Sequence, residues 1–483
     1  MNFPGRILRE ARDPVKFRDR RARKIRHTWP MKRTLTLAGA GLVGALTATL
    51  LAQRGFDVEV FERRPDPRKA GFLGGRSINL ALAERGWHGL RVAGLERRIA
   101  PIAVMMRGRM VHHVDGHTEL LRYGRDDSEV IWSVNRGSLN MALLDAAEGA
   151  GARLHFERRL ESVDWDKSTL QLNDDRGTTH SHAFACLIGA DGAGSALRTA
   201  MAGQIDMGER FEPLDHGYKE LEIPARDGKF QMEPNALHIW PRGNYMCIAL
   251  PNAEGSFTVT LFLPSRSGLN ASSPSFASVT TPAQARTLFE RDFADAMPLI
   301  PDLEKDYAEN PTGLLGTLYL RRWHVDGRAL LIGDAAHAIV PFHGQGMNCG
   351  FEDAVELARL IEEGGSDMRA TFAEFERRRK PNADAIAAMA LENYVEMRDS
   401  VADAHFLLMR ALERKLAERH PGRFVPRYWM VTFSRLPYSV AFERGEIQSA
   451  ILRELCAGKH DLGQIDLDEA DRLIAARLPA LPA

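Results

Sequence analysis

Apolar residues in this chain fall into two patterns: short runs without charge, and longer stretches with an apolar residue at every third or fourth position. The first pattern reads as strands covered on both faces, the second as helices with one buried stripe. "TLTLAG" from Thr34 reads as a buried strand, and "LVGALTATLLAQRG" after it as a helix closed by Gly55. "DVEVFER" then returns as a second strand. The result is one βαβ unit with Gly39, Gly41 and Gly44 in its turn and Glu62 ending the second strand, 23 positions after Gly39. "GSLNMALLDAAEGAG" (137–151) predicts a helix, "ARLHFERRLESVDWD" with "STLQLND" a β-hairpin ribbon, and "HAFACLIGADGAGSALRTAM" a buried strand ending at a loop around Asp191 and Gly192. Between Leu237 and Pro264, strand-like runs broken by turn residues indicate an antiparallel sheet separate from the first unit. "RALLI" (328–332) is a buried strand that enters "GDAAHAIVPFHGQGMN" (333–348) and then a helix whose buried face is spaced by Phe351, Val355 and Ala358. Beyond about residue 368 the pattern is helical, with Pro381 marking a break.

Composition changes this picture little. Of 483 residues, 44% are hydrophobic and 27% charged, as in an ordinary globular protein of two or three domains. Lys+Arg and Asp+Glu both number 64, so no bulk attraction to nucleic acid or an anionic membrane is implied. Cys186, Cys247, Cys349 and Cys456 have no paired spacing, which argues against a disulfide framework or a thiolate metal site and for a reducing compartment. Residues 1–30 are strongly basic and read as a disordered tail or an upstream start, with organelle targeting as the alternative. The uncharged stretch 34–52 superficially resembles a membrane anchor, but its glycine spacing and the strand that follows favour a strand, turn and helix.

A single GxGxxG is weak evidence, but here it lies between a strand and a helix with its acid in place, which points to a bound dinucleotide. Two further strand-to-loop elements, each reaching an Asp, look built to embrace a longer ligand. "GAGLVG", "GADGAGSALR" and "GDAAHAIVPFHGQGMN", in that order, resemble the three motifs of the single-component flavoprotein aromatic hydroxylases. The resemblance implies an α/β fold: a discontinuous Rossmann-like FAD-binding domain (31–105, 125–200 and 310–368) interleaved with an antiparallel β-sheet substrate domain (106–124 and 201–309), plus a C-terminal helical region (369–483). It implies bound FAD with NADPH as co-substrate. Glu62 would accept from the adenosine ribose, and the helix starting near Gly41 would face the pyrophosphate. Arg136 of "VNRGSLN" is a candidate pyrophosphate partner or a surface arginine. Asp334 would take ribitol hydroxyls or cap the following turn. The helix after Gly346 would point its N-terminus, near Met347 and Asn348, at the flavin's pyrimidine edge. Asp191 has by resemblance a role toward both FAD and NADPH, and from the residues alone could equally tie its loop to Arg198. The resemblance also assigns Val43, Phe61, Arg63, Arg64, Ala81 and Leu160 to the cofactor.

"GRSINLALAERG" (75–86), "RGRMVHH" (107–113), "HGYKELEIP" (216–224), the long run at 235–264 and "MVTFSRLPY" (430–438) narrow the resemblance to the kynurenine-hydroxylating branch of that family. L-kynurenine, O2 and NADPH are then the expected partners, in a step of tryptophan catabolism. Arg109 and Tyr123 would clamp the substrate carboxylate, joined by Asn393 and Tyr428, for which helix packing is the alternative. The residues 341–345 would lie beside the reactive face. Oxygen activated on the flavin needs no strong protein base, because the aniline nitrogen activates the ring. No catalytic residue is therefore assigned, and no metal; His343 tempts as a proton donor, but a loop histidine is more often structural or solvated. His337 is expected to pack in the loop. The charged C-terminal end, unlike the hydrophobic segment of mitochondrial relatives, implies a cytoplasmic enzyme without a membrane span, and a homodimer is possible. The rivals are a hydroxylase for another aromatic acid and a flavin-binding protein without turnover.

Overall fold

The computed structural model describes residues 34–70, 79–266, 273–396 and 404–481. The basic extension (1–30) and residues 75–78 of the "GRSINLALAERG" run lie outside them.

A six-stranded sheet organises the first and third motifs. Its order is His324–Val325, Ala329–Leu331, Leu187–Gly189, Thr34–Ala38, Asp57–Phe61, Arg153–His155, parallel throughout except for the first, edge pair. Ala329–Leu331 and Leu187–Gly189 are wholly buried, which explains why these segments read as uncharged runs rather than alternating ones. The helix Leu42–Gln53 is covered almost all round, by the sheet and by the helices Arg136–Gly149 and Gly346–Gly364. That is the physical reason for its membrane-like composition: a helix without an exposed face has no polar stripe. Its hydroxyls are satisfied within the helix, Thr47 to Val43 O (2.7 Å) and Thr49 to Ala45 O (2.8 Å). Among the described residues no helix is long and apolar enough to cross a membrane.

The second sheet has seven strands in the order Gly313–Tyr319, Arg210–Ile223, Phe257–Pro264, Met246–Pro251, Ala236–Pro241, Gly108–His112, Thr118–Arg122. It is antiparallel except where Ala236–Pro241 runs parallel to Gly108–His112. Gly313–Tyr319 pairs with Arg210–Ile223, so the boundary expected at residue 310 falls one strand too early. Phe257–Pro264 is buried at all eight positions, packed in a core with the helices Pro282–Asp292 and Leu303–Glu309. The expected hairpin ribbon divides: Arg153–His155 joins the parallel sheet, while Arg159–Asp164, Thr169–Asn173 and Thr179–Ala183 form a three-stranded antiparallel meander. A further small sheet, Asn79–Leu82, Ile131–Asn135 and Ala103–Met106, completes the strands.

The C-terminal region is helical: Met368–Val395, Ala404–Arg419, Arg427–Thr432, Tyr438–Cys456 and Leu467–Arg477. Pro381 does not break Met368–Val395 but lies inside it. A mid-helix proline costs about 3 kcal/mol. Here Phe372 and Phe375 before it and Ile386, Met389 and Ala390 after it are all buried, so packing on both sides holds the helix continuous.

Candidate active site

The first glycine turn is built from three glycines with different duties. Gly39 has φ +97°, and a Cβ there would lie 2.5 Å from Ala190 O, so the first motif is pressed against the loop of the second. A Cβ on Gly44 would lie 2.0 Å from Gly39 O, which lets helix and turn close up. Gly41 differs: it has ordinary extended backbone, and an added Cβ would meet no protein atom within 4 Å. It is the N-cap of Leu42–Gln53 and offers no side-chain cap to the first-turn amides. Open space before uncapped amides is the arrangement a pyrophosphate requires, and the residues present fit such a group.

Glu62 is half-buried and accepts from Ala40 N and Arg64 N, both at 2.9 Å, so its carboxylate is fixed at the turn. Phe61 beside it is buried and stacks on His155 (4.8 Å, 14°), while Arg63 and Arg64 are exposed. Val43 wedges against the third motif, 2.5 Å from where a Gly350 Cβ would be and 3.1 Å from a Gly333 Cβ. Arg136 opens its helix, is exposed, and makes no ion pair with an acid among the described residues. Leu160 turns into the hydrophobic core instead of toward open space.

In the second motif, Asp191 accepts from Ser195 Oγ (2.6 Å) and Leu197 N (3.2 Å), and burial pushes its carboxyl upward in pKa. It does not tie to Arg198. That guanidinium instead reaches Glu209 (3.0 Å), Ala193 O (2.7 Å) and Ala335 O (3.1 Å), joining the second motif to the third.

In the third motif, Gly333 has φ +57° and Asp334 starts a four-residue helix. The Asp334 carboxylate is exposed and caps nothing, leaving it uncommitted among the described residues. Gly346 opens the long helix Gly346–Gly364, which has no side-chain cap at its N-terminus. Met347 is buried in the core. The Asn348 side chain is committed to the protein's own backbone. Its amide donates to Ala81 O and Gly344 O (both 2.8 Å) and accepts from Ala83 N (3.0 Å) and Gly86 N (3.1 Å). All four hydrogen-bonding positions of an asparagine are thereby used, and only its backbone N–H is left for a ligand. His337 does pack in the loop, donating to Asp353 (2.6 Å) with its ring 5.0 Å from Trp323.

Arg109 lies on the strand Gly108–His112, with its Cζ 5.7 Å from the Tyr123 ring and 6.0 Å from the Tyr428 ring. Tyr123 and Tyr428 are near-parallel (5.6 Å, 19°), and His343 is near-parallel to Tyr428 on its other neighbour contact (5.6 Å, 15°). Of the four residues that the resemblance named for the substrate, Arg109, Tyr123 and Tyr428 lie together, the first two from one hairpin and the third from the C-terminal region, and His343 joins them. Burial pushes both tyrosines up, so they stay protonated donors. Arg109 makes no salt bridge with a carboxylate among the described residues; burial disfavours its charge, but the two phenols and Glu396 outweigh that. Asn393 stands differently: its amide donates to Phe342 O (2.6 Å), fixing the Pro341–His343 turn.

Residues that sequence reasoning missed lie behind this site. Arg85 is 1% exposed and binds Glu352 (2.6 Å), Val431 O (2.9 Å), Met430 O (3.3 Å) and Leu436 O, with its guanidinium 3.9 Å from the Tyr438 ring. Glu352 also meets Arg379 (3.1 Å), which binds Asp353 (2.7 Å). A charged residue within the apolar "ALAERGWHGL" was the available signal for Arg85. Ligand-type atoms of His337, Cys349 and Asp353 lie within 4.8 Å of one another, but Asp353 is already held by Gly333 N (3.0 Å), His337 and Arg379, a set that serves hydrogen bonding rather than a metal.

Residues 33–390 match a family model described as an FAD binding domain. The chain is 59% identical over 452 residues to a kynurenine 3-monooxygenase of Xanthomonas axonopodis pv. citri (strain 306), covering 93% of this chain and 98% of that one. It is 58% identical over 451 residues to the kynurenine 3-monooxygenase of Stenotrophomonas maltophilia (strain K279a), with the same coverages of 93% and 98%. Among solved structures it is similar in fold to the tetrameric form of 2-methyl-3-hydroxypyridine-5-carboxylic acid oxygenase (TM-score 0.61, 21% identity, 78% of this chain and 95% of that chain). Similar too is Pseudomonas aeruginosa PqsL in complex with 2-aminobenzoylacetate (TM-score 0.61, 21% identity, 76% and 97%). With three glycine-bearing loops converging as such a fold requires, and with identity this high across nearly the whole length of its relatives, the chain belongs to the kynurenine 3-monooxygenase family of FAD-binding proteins.

Proposed function

We propose that this chain hydroxylates L-kynurenine to 3-hydroxy-L-kynurenine, consuming NADPH and O2 and releasing NADP+ and water. The observation that carries the substrate reading is Arg109: a guanidinium set between two protonated phenols and paired with no carboxylate among the described residues. A partly enclosed cation of this kind calls for an anionic partner, and an amino-acid carboxylate supplies one, with Tyr123 and Tyr428 adding O–H donors. Asn393 acts one step back, setting the Pro341–His343 turn against which the aromatic ring would lie.

Bound FAD supplies the redox chemistry, taking electrons from NADPH and activating O2. Around it, Glu62 would hold the adenosine ribose, Gly41 and the amides after it the pyrophosphate with Arg136, and Asp334 the ribitol hydroxyls. The uncapped N-terminus of Gly346–Gly364 would offer its positive dipole end to negative charge on the flavin ring. Val43, Met347, Leu160 and the side chain of Asn348 shape this cradle through packing. The ring amine of kynurenine activates its own ortho carbon, so the protein positions the substrate and excludes water without a strong base. Four buried, unbridged cysteines support a cytoplasmic setting.

The test is product identification. Purified protein with FAD is expected to oxidise NADPH faster with L-kynurenine, yielding 3-hydroxykynurenine by mass spectrometry. Stimulation by phenolic acids and not by kynurenine would sink the substrate assignment.

A further inference from the structure

Nδ1 of His343 is buried with no hydrogen-bond partner among the described residues. The ring lies near-parallel to Tyr428, which lies near-parallel to Tyr123, with Arg109 beside both phenols. Leaving a buried polar atom unpaired costs about 1–3 kcal/mol. Folded proteins keep such atoms mainly where function, strain or a small bound species accounts for them. His343 lies beside the Tyr428 ring and feels the positive charge of Arg109, Arg427 and Arg85, and Tyr428 in turn lies beside Tyr123. His343 is the nitrogen base of the cluster.

We propose that His343 is the specificity-determining residue of this site: its imidazole accepts a hydrogen bond from the aniline N–H of the substrate while Arg109 holds the carboxylate. This rests on the kynurenine reading above and names the group that would recognise the ring amine. Burial first, and then the charges of Arg109, Arg427 and Arg85, hold His343 down to about 4. It is therefore uncharged at neutral pH, able to accept a hydrogen bond but too weak a base to take a proton. An aniline fits that group, because it donates N–H while its lone pair activates the ring without ionisation. A phenol does not fit equally, since its strongest activation requires loss of the proton, which this imidazole cannot receive. His343 is thus a positioning and selecting residue, with no proton to carry.

The test is calorimetric titration of the FAD-loaded full-length protein with L-kynurenine and with its analogue lacking the ring amine. Wild type is compared with His343→Phe, which keeps a ring for stacking on Tyr428, and with His343→Gln, which restores an acceptor oxygen. His343→Phe is expected to weaken L-kynurenine about tenfold while leaving the analogue within about twofold, and His343→Gln to recover most of the loss. Equal weakening of both ligands would reduce His343 to a packing element and overturn the proposal, as would no change in either. Failure of the wild-type protein to bind L-kynurenine overturns the functional reading itself, and is seen before any variant is made.

Discussion

Gly39 and Gly41 are two positions apart in one turn and are glycine for unlike reasons. A side chain on Gly39 collides with Ala190 O and strains a positive φ, whereas one on Gly41 meets only open space. Gly39→Ala is therefore expected to destabilise the fold by roughly 2 kcal/mol or more, read from thermal unfolding of the apoprotein. Gly41→Ala should leave that unfolding within about 0.5 kcal/mol yet weaken FAD binding at least about tenfold, because its methyl occupies the pyrophosphate's approach. Retained FAD affinity in Gly41→Ala would move the cofactor elsewhere. Arg109→Ala is expected to raise the KM for kynurenine by about 10–100-fold, as for loss of a charge-assisted pair, with FAD content unchanged. Loss of the yellow colour in that variant would instead put Arg109 in the flavin site. The glycines were legible from spacing alone, since spacing encodes a local turn; the separate duties of Gly39 and Gly41 were not, because the atom that crowds Gly39 comes from residue 190.

At the scale of elements, Asn348 is the clearest case of a motif residue with an unforeseen task. Its amide ties the helix Gly346–Gly364 to the backbone at Ala81, Ala83 and Gly86, from 262 to 267 positions away. Asn348→Ala strands several buried backbone groups and is expected to cost about 3 kcal/mol, with faster loss of FAD on dilution. An unchanged melting temperature would show that these groups find other partners. Pro381 teaches the converse: a residue that breaks helices in isolation is overridden when buried side chains on both sides of it fix the axis. In the same way the membrane-like 34–52 segment is a strand, a glycine turn and a helix enclosed by neighbouring elements.

Across the whole molecule, a buried network of Arg85, Glu352, Arg379, Asp353 and His337 joins the helix Glu84–Val92, the third-motif loop and helix, and the C-terminal helices. Removing one partner leaves an uncompensated buried charge, so Arg379→Met is expected to cost about 3–5 kcal/mol in urea unfolding. Burial alone would raise the Asp353 carboxyl, but His337 and Arg379 outweigh it and hold it well below the usual carboxylate range. Its folded pKa lies below its unfolded one, so its stabilisation is complete above about pH 4 and fades as pH falls through the lowered folded value. Asp353→Asn should accordingly flatten the acid limb of the stability profile; an unaltered limb would place the acid-sensitive group elsewhere.

The order of three glycine-bearing motifs, the βαβ start, the parallel and antiparallel sheet regions and the helical end were all determined by the sequence itself, because each is encoded in local periodicity and turn chemistry. The resemblance, and not local periodicity, named Arg109, Tyr123, Asn393 and Tyr428 for one site, and it left the role of His343 open. Only the tertiary structure decided that Gly313–Tyr319 joins the seven-stranded sheet, that Asp191 caps while Arg198 reaches Ala335, that Asn348 turns back onto Ala81, and that Nδ1 of His343 is buried without a hydrogen-bond partner among the described residues. Those outcomes depend on pairings between segments far apart along the chain, and on which polar groups find partners once water is excluded, neither of which a local pattern carries.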